Sequence, residues 1–288
     1  MDPAKSDDLE QAVHKTVLRY LNETLATGFL KPKIWLVEAM SSREAAVEIA
    51  RYAEKNHASF IFANTQAKKT WNPFRLGGFV ETLTAISKVP VFVLNPLVVS
   101  IEKPSSILFP TDFSRDSRNA LMKLEPYVQA FNAKILIYNQ VENINFYPSA
   151  EFNGMWQVEN FDLKLIESKV EQNRKKLAIN WSKVLKEKNI SSSALVRRQK
   201  KFVSADILEV AQSKSIGLIA MSNHSGSFTQ AVLGSVARDI LLQAKCPVII
   251  FCRQKPTRKH MSKTEKTSQL RAKNEYPWTA QNSLPGDR

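Results

Sequence analysis

The feature that most constrains this chain is an internal repeat. Leu76-Gly77-Gly78-Phe79-Val80 through Val93 aligns without gaps on Leu233-Gly234-Ser235-Val236-Ala237 through Ile250, an offset of 157, with Lys88 on Lys245 and Pro90 on Pro247. Upstream, Glu44–Ala63 aligns on Phe202–Met221 with an offset of 158, so the loop between the two blocks is one residue shorter in the second copy. A repeat of this length is a duplicated domain rather than a solenoid unit. Each copy carries two apolar runs of strand length, Ser59–Ala63 and Val91–Leu94 in one, Ile216–Met221 and Val248–Phe251 in the other. Continuous apolar runs fit strands covered on both faces. Between Met221 and Val248, Val236, Ile240, Leu241 and Ala244 recur at helical spacing, so the connection is a βαβ crossover. In such sheets ligands bind at the carboxyl ends of strands, which directs attention to Ser222–Ser235.

Around this repeat the pattern extends in order. A helix is expected over Leu9–Ala26, a strand over Lys33–Ala39, and a helix over Arg43–Lys55 capped by Ser41 or Ser42. After Asn64–Arg75, read as a loop, come a helix over Gly77–Ser87 and the strand Val91–Leu94. The second copy opens with a strand at Ser106–Pro110, a helix capped by Ser114 and ending at Phe131, and a strand at Lys134–Gln140. A long aromatic loop over Glu142–Val158 (Phe146, Tyr147, Phe152, Trp156) is expected to pack on its own sheet. A long helix over Glu159–Lys188, a strand at Ala194–Arg198 and a helix at Ser204–Ser213 follow. This order predicts an α/β fold with a Rossmann-like, doubly wound, mostly parallel five-stranded sheet, in two tandem copies with the first incomplete. The expected divisions are residues 1–98, 104–253 and a basic, disordered tail over 254–288. The first copy has no counterpart of Ser106–Val158. A different true start, a fragment, or a remnant that leans on the second copy would each account for that.

The net charge is +14. Nine Lys/Arg against three Asp/Glu between Arg253 and Arg288 place +6 of it in the tail, so the charge points to no specific nucleic-acid partner. No run approaches the length of a membrane span, and the first residues lack a signal peptide's pattern. Two cysteines, Cys246 and Cys252, make neither a disulfide framework nor a metal spacing, which fits a reducing, cytoplasmic setting.

Three stretches carry a resemblance: ILFPTDFSRDSRNAL (Ile107–Leu121), AKILIYNQV (Ala133–Val141), and above all MSNHSGSFTQAVLGSVARDILLQAKCPVIIF (Met221–Phe251). They resemble the universal stress protein family, in which a Pro-x-Asp-x-Ser pattern ends the first strand and a Leu-Gly-Ser-Val turn precedes a closing Cys-Pro-Val strand. The resemblance implies a regulatory or scaffold role in stress response rather than enzymatic catalysis. It also implies dimerisation through the last strand, here as a homodimer or as an intrachain pseudo-dimer joining Val91–Leu94 to Val248–Phe251, and an unidentified protein partner.

Members that bind ATP carry Gly-x-x-Gly, nine residues, then Gly-Ser or Gly-Thr, because glycine lets backbone N–H groups approach a phosphate. Here the pattern has decayed. In the second copy Ser222 and Ser225 stand at the glycine positions, eight residues intervene, and Gly234-Ser235 remains, with Gly226 as partial compensation. In the first copy Asn64 and Ala67 stand there, before Gly77-Gly78. Nucleotide binding is therefore expected to be weakened or lost. The alternative is an ATP- or AMP-binding switch with a non-standard loop. By resemblance Asp112, beside Thr111, lies near the adenosine part and Gln140 near adenine; from the residues alone, Thr111, Asp112 and Ser114 equally read as caps of the following helix. His224 has no nucleophile or carboxylate at a recognisable spacing and is read as non-catalytic. His14, His57, His224 and His260 are scattered, so no metal is expected.

Overall fold

The computed structural model describes residues 11, 15, 19, 35, 37, 39–65, 76–98, 102–142, 163–223 and 233–252. In chain order the elements are α1 (Ser42–Lys55), β1 (Ile61–Asn64), α2 (Gly78–Ile86), β2 (Val91–Leu94), β3 (Ser106–Pro110), α3 (Arg115–Phe131) and β4 (Lys134–Val141). They continue with α4 (Leu163–Glu187), β5 (Ser192–Arg198), α5 (Val203–Ser213), β6 (Leu218–Ser222), α6 (Ser235–Gln243) and β7 (Val248–Phe251). The seven strands form one sheet in the order β1-β2-β7-β6-β3-β4-β5. The five strands β3–β7 are mutually parallel, in the doubly wound order expected of the second copy. β1 and β2 are parallel to each other, and β2 joins β7 antiparallel, with Val91 opposite Ile250, Phe92 opposite Ile249 and Val93 opposite Val248.

Local chemistry explains the helix starts. Ser41 Oγ accepts from Glu44 N–H at 3.1 Å while the Glu44 carboxylate accepts from Met40 N–H at 2.8 Å, a reciprocal capping arrangement that opens α1. Ser114 does the same service for α3, its Oγ accepting from Ser117 N–H at 3.2 Å. α3 ends where Asn132 takes a left-handed conformation, one of the few side chains that does so readily. α2 and α6 instead begin at Gly77 and Gly234, with no side-chain cap on either.

The period of two along each strand sorts its side chains between two cores. Val91, Val93, Leu108, Tyr138, Ile219, Met221, Val248 and Ile250 pack with Ala46 and Ala50 of α1, Val80 and Leu83 of α2, Ile207 and Val210 of α5, and Ala237, Ile240 and Leu241 of α6. One face of the sheet thus rests on four helices, drawn from both halves of the chain. The other face carries Ile107, Phe109, Ile135, Ile137 and Ile249, all buried, toward α3 and α4. There Tyr127 of α3 reaches Phe92 (ring centroids 6.2 Å apart) and Phe251 (6.2 Å). Phe62, next to Phe92 on β1, stays 59% exposed, so cover on this face stops at β2. Gly217 is required by close approach: a Cβ there would lie 3.1 Å from Pro104 Cα and Cβ, tying the start of β6 to the segment that leads into β3.

The strand expected over Lys33–Ala39 is a correction. Trp35, Val37 and Ala39, its described residues, carry no strand pairing, and Trp35 stacks on Tyr52 of α1 instead, centroids 4.2 Å apart. The sheet ends at β1 among the described residues. Of the helix expected over Leu9–Ala26, Gln11, Lys15 and Arg19 are helical and exposed; its other residues lie outside the described ones. The aromatic loop from residue 143 onward and the tail lie outside them too.

Leu83, fully buried where α2 meets the four-helix face, sets a test of this packing. Leu83→Ala should lower unfolding free energy by about 2–5 kcal/mol in urea titrations, whereas Phe202→Ala, at an 83% exposed position, should stay within about 0.5 kcal/mol.

Candidate functional site

In the order β7-β6-β3-β4-β5, the chain leaves β3 toward β4 and later returns to its other side with β6. The β3/β6 boundary is therefore the topological switch point, and the crevice beyond its carboxyl ends is the place a doubly wound sheet offers to a ligand. Thr111 and Asp112 follow β3, Asn139 and Gln140 lie near the end of β4, Ser222 and Asn223 end β6, and Gly234-Ser235 open α6.

The turn after β3 is tightly built. Thr111 is buried; its N–H donates to Tyr138 O and its Oγ1 accepts from Phe113 N–H at 2.9 Å. Asp112 Oδ1 accepts from Ser114 N–H at 3.0 Å and from Ser117 Oγ at 2.6 Å, so this carboxylate is engaged by the start of α3. The capping role weighed for Thr111, Asp112 and Ser114 is thus what the structure displays. Phe113 sits at φ 63°, a left-handed conformation that is strained for an aromatic residue. α4 holds it there: Trp181 meets the Phe113 ring edge-on at 5.2 Å, and the Arg174 guanidinium lies 5.8 Å from the ring centroid while donating to Asp112 O at 3.0 Å.

Asn139 was missed in the sequence, where only Gln140 was singled out. Its amide donates to Thr111 O at 2.8 Å, and its Oδ1 is buried with no hydrogen-bond partner. Gln140 turns to the opposite face, donating to Lys201 O at 3.3 Å and to Asp206 Oδ2 at 3.2 Å, with its own Oε1 likewise buried and unpartnered. There it joins a network the sequence gave little sign of. Asp206, buried in the first turn of α5, accepts from the Tyr138 hydroxyl and from Arg197 Nη1 at 3.0 Å, and Arg197 also reaches Glu209 at 3.2 Å. Burial, with the Asp206 carboxylate beside it, pushes the Tyr138 hydroxyl well above the usual phenol range, so it stays a proton donor. The available signals were a Tyr within the apolar run KILIY and an Asp on the apolar face of VSADILEVA.

On the β6 side Ser222 is half-buried, and Asn223, 2% exposed, donates its amide to Thr84 O of α2 at 3.1 Å. Gly234 has φ −63°, which any residue adopts. A Cβ there would meet Asn223 O at 3.7 Å, an ordinary contact. Its chemical value is the bare backbone at a helix N-terminus that has no side-chain cap among the described residues. Ser235 is exposed. Ser225, Gly226 and His224 lie outside the described residues. The structure therefore brings Thr111, Asp112, Ser222, Gly234 and Ser235 to one edge of the sheet and turns the Gln140 side chain toward α5.

A surface cleft of ≈ 480 Å³ lies elsewhere, between α5 and α6, lined among others by Lys201, Leu208, Glu209, Gln212 and Cys246; none of the expected site residues borders it. Burial pushes the Cys246 thiol up to about 11 and the Cys252 thiol up to about 12, the nearby Lys123 ammonium countering only part of the second rise. Neither is a thiolate nucleophile near neutral pH. No group of three or more His, Cys, Asp or Glu that could hold a metal occurs among the described residues.

A sequence model of the universal stress protein family matches residues 105–251, just over half the chain. The chain belongs to the universal stress protein family. Among solved structures it is similar to a universal stress protein from Archaeoglobus fulgidus DSM 4304, with 19% identity, 86% of this chain and 80% of that one covered, and a TM-score of 0.58. It is likewise similar to a functionally unknown protein from Pseudomonas aeruginosa PAO1, with 11% identity, 88% and 78% covered, and a TM-score of 0.54. At these identities the likeness is one of fold. No curated protein sequence gave a significant match. Among the described residues of this universal stress protein no helix is long and apolar enough to cross a membrane.

Two outcomes follow from the site's chemistry. Asp206→Ala strands the buried Tyr138 hydroxyl and removes one of two partners from the Gln140 amide and from Arg197, and should cost about 3 kcal/mol in urea unfolding; Tyr138→Phe should cost about 1 kcal/mol. Cys252 is buried and Cys246 half-buried at the surface cleft, both protonated, so an aromatic disulfide reagent at pH 8 should label Cys246 slowly in the native protein and Cys252 only in denaturant; prompt labelling of Cys252 in the native protein would contradict the environment described.

Proposed function

We propose that this protein is a regulatory scaffold of the universal stress type, acting in the cytoplasm, in which nucleotide contact is weakened and the working unit is a pair of domains within one chain. The halves are taken as residues 1–98 and 104–253, with 254–288 as a basic extension. The observation that carries the reading is the antiparallel union of β2 with β7, the two strands that close the two copies. Pairing them occupies an edge that would otherwise be open to other chains. An intrachain pseudo-dimer then presents one continuous body to a protein partner, and no catalytic group needs to be assigned.

The residues fit a nucleotide only in part. In favour are the α6 N-terminus at Gly234 and Ser235, without a side-chain cap among the described residues, and the Asn139 Oδ1 acceptor, which an amino group would satisfy. Against are the engagement of Asp112 by α3, the Cβ atoms of Ser222 and Ser225 where the family's phosphate cradle has glycine, and the shortened loop around Gly226. That helix N-terminus favours one second reading, an ATP- or AMP-binding switch. There Thr111, Asp112 and Gln140 would lie toward adenosine, and Ser222, Ser225, Gly226, Gly234 and Ser235 toward phosphate.

A thermal melt of the full chain with and without millimolar Mg-ATP separates the two. The scaffold reading expects no rise in Tm in a protein that melts cooperatively. A rise of several degrees that Gly234→Val abolishes would replace it with the switch.

A further inference from the structure

Building on the paired-halves reading, we infer that the seam between the halves is heterotypic: it accepts an N-terminal half against a C-terminal half, rejects either half against its own copy, and closes within one chain. The argument starts from the repeat. Phe92 lies opposite Ile249, its own counterpart at the offset of 157, while Val91 opposite Ile250 and Val93 opposite Val248 are the same pair exchanged. The β2–β7 register is therefore that of a local two-fold axis passing between Phe92 and Ile249.

Contacts away from the strands obey the same axis. Asn95 Nδ2 donates to Leu241 O at 3.2 Å and to Ala244 O at 2.6 Å, serving carbonyls at the end of α6. Its counterpart Cys252 donates through Sγ to Thr84 O at 2.7 Å, and Thr84 is the counterpart of Leu241. Arg238 forms an ion pair with Glu81, 157 residues away, again its own counterpart.

On a two-fold axis a residue that faces its counterpart would, in a homotypic pair, face itself. The N-terminal half paired with itself would set Glu81 on Glu81. The C-terminal half paired with itself would set Arg238 on Arg238 and replace the amide of Asn95 by the weaker thiol donor of Cys252. One exposed ion pair stabilises little, but like charges in its place repel, and specificity resides in that difference. At Glu81/Arg238 and Asn95/Cys252 the copies thus differ in charge and hydrogen-bonding strength at positions where each copy meets the other.

Closure in one chain is geometrically short. β2 is antiparallel to β7, so its carboxyl end lies at the same end of the sheet as the start of β3. Two strands, β7 and β6, intervene, so residues 95–105 need to cover about 14 Å laterally. Eleven residues reach roughly 36 Å when extended.

The test uses the full chain and its variants E81R, R238E, E81R/R238E, E81Q, R238Q and N95A, with Tm and mass by light scattering. Each charge reversal is expected to lower Tm by about 2–4 °C, more than the neutral variant at the same position, and the double reversal to recover most of the loss. The parent is expected to run at the mass of one chain. Reversals no worse than the neutral variants, or a double reversal that recovers nothing, would overturn the heterotypic rule; a parent mass of two chains would overturn closure within one chain. N95A separates this from the reading beneath it. If N95A lowers Tm while the reversals are inert, the seam exists without the rule, and if N95A is inert as well the paired halves themselves fail.

Discussion

The structure depends on three backbone pairings, Val91 with Ile250, Phe92 with Ile249 and Val93 with Val248. Without them β1 and β2, carrying α1 and α2, would be a two-stranded layer with the β2 edge unpaired. With them, α1 and α2 are placed beside α5 and α6, and four helices share one apolar layer on one face of the sheet. Polar groups of one half then complete the other: Asn223 and Cys252 serve Thr84 O, and Asn95 serves the end of α6. A short hydrogen-bonded seam thus converts two incomplete layers into one.

The same seam bears on the candidate site. Asn223, which follows β6 at the carboxyl edge, spends its amide on α2, so one wall of that crevice is anchored to the other half of the chain. The opposite wall, the turn after β3, is anchored to α4 through Arg174 and the strained Phe113. Both walls are thus held in place by contacts to elements outside the crevice.

The repeat made the fold legible. Apolar runs bounded by Gly, Pro and Ser located β2, β3, β6 and β7 to within a residue or two, and capping chemistry alone placed two helix starts, at Ser114 and at one of Ser41 or Ser42, of which Ser41 is the cap. What periodicity could not reveal was neighbourhood. KIWLVEA has the composition of a strand, yet its described residues carry no strand pairing and Trp35 stacks on Tyr52 of α1, so propensity alone does not place a strand. The site was legible where it consists of turn and cap residues, as at Thr111, Asp112, Gly234 and Ser235. Asn139 and the Tyr138–Asp206–Arg197 network escaped, since Asn139 meets Thr111 across 28 residues and Tyr138 meets Asp206 across 68, contacts that form only when the strands and α5 are assembled. The inward or outward aim of Gln140 was similarly invisible until the register of β4 against β5 was fixed.

The order of strands in the sheet also governs the order in which the chain can finish folding. β2 is made early, but the strand that completes its hydrogen bonding, β7, is the last element among the described residues, 157 residues later. At ordinary synthesis rates that interval is on the order of ten seconds. Throughout it the N-terminal segment emerges with an unpaired strand edge and with Phe92 uncovered, while the C-terminal segment is still being made. Assembly from the ribosome therefore runs against the direction of translation: the first half waits for the second, and the exposure of a nascent strand edge is built into the topology.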